Sequence, residues 1–377
     1  MQLLKLVQNL VRLGEPLPWG VRDAQGNLLL AQGHVVANAA QLEAILERGA
    51  FIDVEEVKAA AKRAADTERQ RQQQRPANLF TLWEHVLWEL DRLLRGIEEP
   101  GFCARADELV ENMVGLIERD ADIAIYICVR QDPKRLSIYG LGHSVHCALI
   151  CQLVARRLGW EDSKVRTLMK AALTMNISTL DLQGRLAVQG VPPTQPQLAT
   201  LKEHPAKSAE MLRAAGVEDE MWLTTVAQHH EQADGSGYPA GITDPIETAR
   251  LLRHVDVFTA KISPRAMRPA LSTQTAARQL FQGDQGGPLS AAIVKEVGIY
   301  PPGEMVKLKS GEHAVVMRRT ASASMPMVVS ITDRSGMPVV NTSMRDTSKP
   351  EYAIVSTVDD KGLVARMKPE RLYGLPD

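Results

Sequence analysis

Apolar positions along this chain change rhythm twice. Between residues 79 and 298 they recur at three- and four-residue steps. The clearest run is Leu79, Trp83, Val86, Leu87, Leu90, Leu93, Leu94 and Ile97, the spacing of one face of an amphipathic helix. Residues 143–158, closed by Gly159, and residues 164–175 predict two more helices. Ahead of this region the pattern is shorter and mixed. Residues 18–23 and 28–31 predict strands around the turn Ala24-Gln25-Gly26-Asn27. Asn38 then caps a helix through Gln41, Ile45 and Leu46 that Gly49 ends, and residues 51–54 predict another strand. The opening stretch MQLLKLVQNLVRLGEP spaces its apolar residues as an amphipathic helix would. After Pro301-Pro302 the period shortens. Residues 305–308 and 314–317 around Ser310-Gly311 predict one hairpin, and residues 327–332 and 337–340 around the turn at 333–336 predict a second. Residues 352–356 predict a further strand.

This division predicts a mainly α chain with a small α+β module at 1–57, a helical domain at 79–299 and a β-rich appendage at 300–377. Residues 58–78, rich in Gln, Arg and Ala and without an apolar face, are expected to be a solvated linker. Hydrophobic content of 45% and charged content of 24% are ordinary for a globular protein. Aromatic content of 4% leaves a core mostly of Leu, Val, Ala and Met, with Trp83 and Trp88 as packing residues. A net charge of −1 supplies no general field for nucleic acid, so phosphate recognition has to be local. There is no run of about 18 apolar residues and no cleavable leader pattern, so no membrane span is expected and the location is read as cytoplasmic. Four cysteines contain no C-x-x-C pair. Cys147 and Cys151, at i, i+4 spacing, suit a helix core in a reducing compartment.

The chemistry concentrates at residues 229–239, His-His-Glu-Gln-Ala-Asp-Gly-Ser-Gly-Tyr-Pro. Adjacent histidines can offer imidazole nitrogens to one metal or to two neighbouring ones. Glu231 and Asp234 are acceptors able to orient those rings. Gly235, Gly237 and Pro239, flanking Tyr238, require a tight loop defined by its backbone. This string resembles the signature of the HD-GYP family, H-H-E-x-x-D-G-x-G-Y-P, at every fixed position.

The resemblance extends over about residues 137–298. It implies an HD-type helical bundle of roughly five to seven helices and a place in bacterial cyclic di-GMP signalling, where active members are metal-dependent phosphodiesterases. His143 heads a helix as the family's first metal-binding histidine does. Lys202-Glu203-His204-Pro205 resembles the K-x-H-P segment that supplies another ligand, and Asp256 falls at the last carboxylate ligand. Arg265 and Arg268 match a segment whose basic residues face ligand phosphates. His146 and His254 lie off the motif and are read as structural. Tyr139, where a third metal would need a carboxylate, offers none, and Thr259 replaces a second aspartate.

One part is replaced. Where such proteins carry Leu-Leu-His-Asp-Ile-Gly-Lys, this chain reads Leu173-Thr174-Met175-Asn176-Ile177-Ser178-Thr179. By analogy the missing aspartate would bridge two metals. Asn176 has a neutral carbonyl oxygen and cannot do so, and the Met175 thioether is a poor ligand for hard or borderline ions. One metal would be left with His143 and Asp256 alone and is expected to be lost. The other would keep His204, His229 and His230, enough for one Fe, Mn or Zn ion. Three expectations follow. The first is a catalytically impaired module that binds cyclic di-GMP or protein partners through the GYP loop or the N-terminal module. The second is a phosphodiesterase with a mononuclear site. The third is a scaffold that binds neither metal nor nucleotide. Asp181 is a nearby carboxylate that could substitute for the lost aspartate, and homodimer formation is left open.

Overall fold

The structure is a computed structural model that describes residues 2–7, 10–63, 78–358 and 367–375. It divides into two compact units, Met1–Ala77 and Asn78–Asp377. Residues 64–77, most of the expected linker, lie outside the described residues.

The first unit is a four-stranded sheet in the order β1-β4-β2-β3, with α1 (Ala39–Glu47) capped by the Asn38 side chain as the sequence predicts. Strands β2 (Val21–Arg22) and β3 (Leu28–Leu30) flank the expected turn. The opening helix is corrected. Leu3–Lys5 forms β1 and pairs antiparallel with β4, Phe51–Asp53. The three residues find backbone partners on a strand some fifty positions away, and that pairing overrides a local helical spacing. Trp19, Val21, Val36, Leu42 and Ile52 form the core of the unit.

In the second unit eleven α-helices lie between Leu79 and Val297, more than the five to seven that the resemblance implies for the bundle. Those that bear on the site are α2 (Leu79–Arg95), α3 (Phe102–Arg119), α4 (Ala121–Val129), α5 (Tyr139–Arg157), α6 (Asp162–Thr174), α7 (Leu180–Val188), α8 (Gln195–Ala214), α9 (Glu220–Gln228) and α10 (Glu247–Ile262). Short helices such as α4 and α7, at nine residues each, carry too few turns to show a period of their own. Helix α5 is apolar on nearly all sides and buried along most of its length, so it forms the centre of the bundle. The stretch Lys134–Arg157 is long and apolar enough to cross a membrane, and 78% of its apolar window is buried inside the protein.

A five-stranded antiparallel sheet, order β8-β7-β6-β5-β9, follows the helices: β5 (Met305–Leu308), β6 (His313–Arg318), β7 (Met327–Thr332), β8 (Pro338–Asp346) and β9 (Ile354–Thr357). Both predicted hairpins are present, and β8 runs six residues beyond the expected end at Val340. Met305, Val315, Met317, Val329 and Ile331 belong to the same buried cluster as the helices, so one face of the sheet completes the helical core. Arg318 pairs with Asp120, and Arg319 with Asp122 and Glu296, which adds a polar seam along that boundary.

Candidate metal and phosphate site

The histidine triad is assembled from two segments, α8 and the C-terminal end of α9, and two of its rings are set by backbone carbonyls. His204 lies inside α8 directly before Pro205. Proline has no N–H, so the Leu201 carbonyl loses its helical partner. The His204 Nδ1 takes that carbonyl at 2.6 Å. His229 caps the C-terminus of α9, where the last carbonyls lack partners. Its Nδ1 reaches the Val226 carbonyl at 2.7 Å. With both Nδ1–H groups donating to carbonyls, each Nε2 presents a lone pair. The two Nε2 atoms stand 3.1 Å apart. Two acceptors at that distance repel unless a cation lies between them, and two imidazoles bound at about 2.1 Å to one ion are separated by roughly this much. His230 completes the group: ligand atoms of His204, His229 and His230 all lie within 4.8 Å of one another. Burial holds His204 and His229 below the usual imidazole pKa and puts His230 at about 4, so all three are neutral, the form that binds metal. These residues therefore fit one ion.

His143, on α5, and Asp256, on α10, meet at 2.6 Å, Nε2 to Oδ1. Burial works to raise the Asp256 carboxyl pKa, but the His143 hydrogen bond and the surrounding histidines hold it well below the usual range. Its other oxygen lies 3.8 Å from His230 Nδ1, so Asp256 links this pair to the histidine triad. Cys147, one turn along α5, brings its sulfur to 3.6 Å from His143 Nε2 and 3.1 Å from Thr259 Oγ1. His143, Cys147 and Asp256 form a second group with metal-ligand spacing. Sequence reading missed Cys147, although its i, i+4 spacing from His143 was visible. Burial and Asp256 push its thiol pKa well above the ordinary value, so it stays protonated in the metal-free protein.

The replaced pair sits at the end of α6. Met175 is fully buried in the main hydrophobic core and serves packing. Asn176 is buried too. Ser178 holds this segment against α8 through the His204 carbonyl at 3.2 Å and Ser208 Oγ at 2.9 Å. Asp181 pairs with Arg95 at 3.2 Å and is largely exposed, so it is already engaged away from the cluster.

The GYP loop has a different internal logic from the one expected. Glu231 does not orient an imidazole. Its buried carboxylate accepts the backbone N–H groups of Ala240, Gly241 and Ile242 at 2.7–3.2 Å. Asp234 accepts from the Ser236 N–H and hydroxyl. Both acids shape the loop, and the carbonyls of Leu201 and Val226 orient the rings. Gly235 has φ of +75°, and a Cβ at Gly237 would stand 2.4 Å from the Gln232 nitrogen. The Tyr238 ring stacks on His230 at 4.6 Å, ahead of a cis peptide bond to Pro239.

Arg265 donates to the Tyr139 hydroxyl at 2.6 Å, with its guanidinium 4.6 Å from the Tyr139 ring centre. That ring stacks on His143 at 5.3 Å, which sets Arg265 at the edge of the histidine–aspartate cluster. Arg268 is locked to Arg265 by reciprocal backbone hydrogen bonds of 2.9 and 3.0 Å and donates to the Ala260 carbonyl. Burial and the neighbouring Arg265 lower its pKa. Among the described residues neither arginine is paired with a carboxylate. His254, paired with Asp284 at 3.0 Å, stands apart from the cluster.

Buried neutral imidazoles converge beside a carboxylate in a helical domain, a candidate metal centre with two arginines near its edge. Residues 130–285 match the family model described as an HD domain. The cyclic di-GMP phosphodiesterase PA4108 of Pseudomonas aeruginosa is 30% identical over 221 residues, which cover 57% of this chain and 52% of that protein. The cyclic di-GMP phosphodiesterase response regulator RpfG of Xanthomonas campestris is 28% identical over 138 residues, 35% of this chain and 36% of the relative. The chain thus spans about half or less of the length of these relatives. Bd1817, an HDG"Y"P protein from Bdellovibrio bacteriovorus, superposes with a TM-score of 0.48 at 16% identity, covering 77% of this chain and 97% of that one. These matches support an HD-GYP reading of the helical domain, in which Met175-Asn176 stands at the position of the family's histidine–aspartate pair.

Proposed function

We propose that this protein binds cyclic di-GMP, the substrate named for its relatives, and is impaired in hydrolysing it. The observation that carries this reading is the contrast between the two halves of the site. Among the described residues Arg265 and Arg268 are free of carboxylates, and they are suited to grip phosphate oxygens with paired donors. Met175 has been absorbed into the core, and Asn176 brings no charge. A metal bound here supplies Lewis acidity and lowers the pKa of a bound water. The residues that would hold it are His204, His229 and His230. The side chains themselves do the rest: carbonyl-bound Nδ1 atoms fix the rings, Tyr238 covers His230, and the arginines at the edge of the cluster position an anion.

A second reading rests on the intact triad. The 3.1 Å approach of His204 and His229 suits one Fe, Mn or Zn ion, enough for slow mononuclear hydrolysis. Protein partners at the GYP loop are compatible with both readings. The deciding experiment is anaerobic hydrolysis of cyclic di-GMP with Fe(II) or Mn(II), beside calorimetric binding and a His229→Ala/His230→Ala control. Binding that is lost in Arg265→Ala/Arg268→Ala, without turnover, supports the first reading. Turnover that disappears in the histidine variant supports the second. Neither binding nor turnover in a folded protein overturns both and leaves a scaffold.

A further inference from the structure

Cys147 lies outside the motif and outside the histidine triad. The resemblance leaves one ion with His143 and Asp256 alone, and two ligands hold an ion poorly. The fold supplies a third. His143 and Cys147 are one turn apart on α5, so their side chains share a face. Asp256 meets them from α10. Ligand atoms of the three residues all lie within 4.8 Å of one another. The Cys147 sulfur is 3.6 Å from His143 Nε2. A tetrahedral zinc ion, with bonds of about 2.3 Å to sulfur and about 2.05 Å to nitrogen, holds such a pair about 3.6 Å apart. His143 Nε2 and Asp256 Oδ1 stand closer, at 2.6 Å, because a hydrogen lies between them. An ion in its place opens that pair to about 3.3 Å. Charge favours the exchange. Cys147 is fully buried, and a thiolate with a carboxylate neutralises a divalent cation, so a filled group adds no net charge to the interior. The Thr259 hydroxyl, 3.1 Å from the sulfur, can donate to that thiolate. The Asp256 side chain is 14% exposed, which gives an ion its way in. Sulfur also sets the class of ion: a soft thiolate selects zinc and its congeners, whereas Mn(II) is suited to oxygen ligands.

We propose that His143, Cys147 and Asp256 bind one thiophilic divalent cation of the zinc class, with Cys147 as the ligand that compensates for Met175 and Asn176. Three protein ligands leave a fourth position for water. The group is distinct from the histidine triad, and the proposal does not depend on whether cyclic di-GMP binds.

Full-length protein, reduced and stripped of metal, is titrated with Co(II), which occupies zinc sites and reports a bond to thiolate as a near-ultraviolet charge-transfer band. The band is expected in the natural protein and in His204→Ala/His229→Ala/His230→Ala, which removes the triad. It should disappear in Cys147→Ser and persist in Cys103→Ser, a change at the half-buried cysteine. Zinc content after dialysis should fall from about two ions per chain to about one in Cys147→Ser. Mn(II) should fill the triad alone, at about one ion per chain in both proteins. Absence of the band in the natural protein would overturn the proposal and identify a hydrogen-bonded ion pair. A band that survives Cys147→Ser would assign the thiolate to another cysteine and overturn it too. Loss of the band in the folded triad variant would refute a separate site, and uptake of a second Mn(II) ion would refute the class of ion. If Cys147→Ser does not fold, His143→Ala decides, since it keeps the thiol and should still lose the band. No readout involves cyclic di-GMP, so failure of this proposal and failure of the nucleotide-binding reading are told apart.

Discussion

At the scale of single residues the site depends on which atoms are left without partners. Pro205 frees the Leu201 carbonyl that orients His204. Pro205→Ala returns an N–H to that carbonyl and removes a helix-interior proline. We expect a higher melting temperature in the metal-free protein and a metal affinity about tenfold weaker, because outer hydrogen bonds of this kind tune ligand geometry. A variant that melts higher and binds metal as before would show that the carbonyl is not what orients the ring. Restoring the family pair by Met175→His/Asn176→Asp should raise metal content toward two ions per chain. It should also cost about 2 kcal/mol of metal-free stability, since a polar ring replaces a thioether in the core. Elemental analysis with a denaturant titration reads both. Gly237→Ala forces a Cβ into backbone 2.4 Å away, and we expect a clear drop in melting temperature with loss of bound metal. His229, His230 and the loop glycines were legible as candidates because the motif names them, and His204, Arg265 and Arg268 because separate segments resemble the family's. The tasks of Glu231 and Asp234 were not, because a carboxylate's partners depend on loop closure.

At the scale of elements, pH is the sensitive variable. Burial pushes His146, on α5, down to about 3, and His230, after α9, to about 4. An unfolded chain protonates these rings near pH 6.5. Between that value and about 4 the unfolded state binds protons that the folded state refuses, so stability is full above pH 6.5 and falls as pH drops through the window. Metal-free protein should therefore lose on the order of 1–2 kcal/mol per histidine at pH 5 relative to pH 7.5. A melting temperature that stays level or rises on acidification would contradict this, and His146→Phe should flatten the slope. Periodicity located the long helices here. It did not resolve the short ones, and it misassigned Leu3–Lys5, whose strand exists only through Phe51–Asp53.

At the scale of the whole molecule, the helical bundle and the C-terminal sheet share one apolar cluster within the second unit. They should melt as a single transition. Arg319→Ala, which leaves Asp122 without its guanidinium and weakens the hold on Glu296, should lower the stability of both together by about 2 kcal/mol. Separate transitions for helix and sheet in that variant would refute a common core. By itself the sequence determined the class of fold, the HD-GYP signature, the candidate ligand residues and the replacement of the family's histidine–aspartate pair, because those reside in residue identity and short-range spacing. Only tertiary structure decided that Met175 serves the core, that Cys147 joins His143 and Asp256, and that backbone carbonyls orient the rings. Each of these depends on atoms far apart in the chain meeting at a few ångströms, and no local pattern encodes that distance.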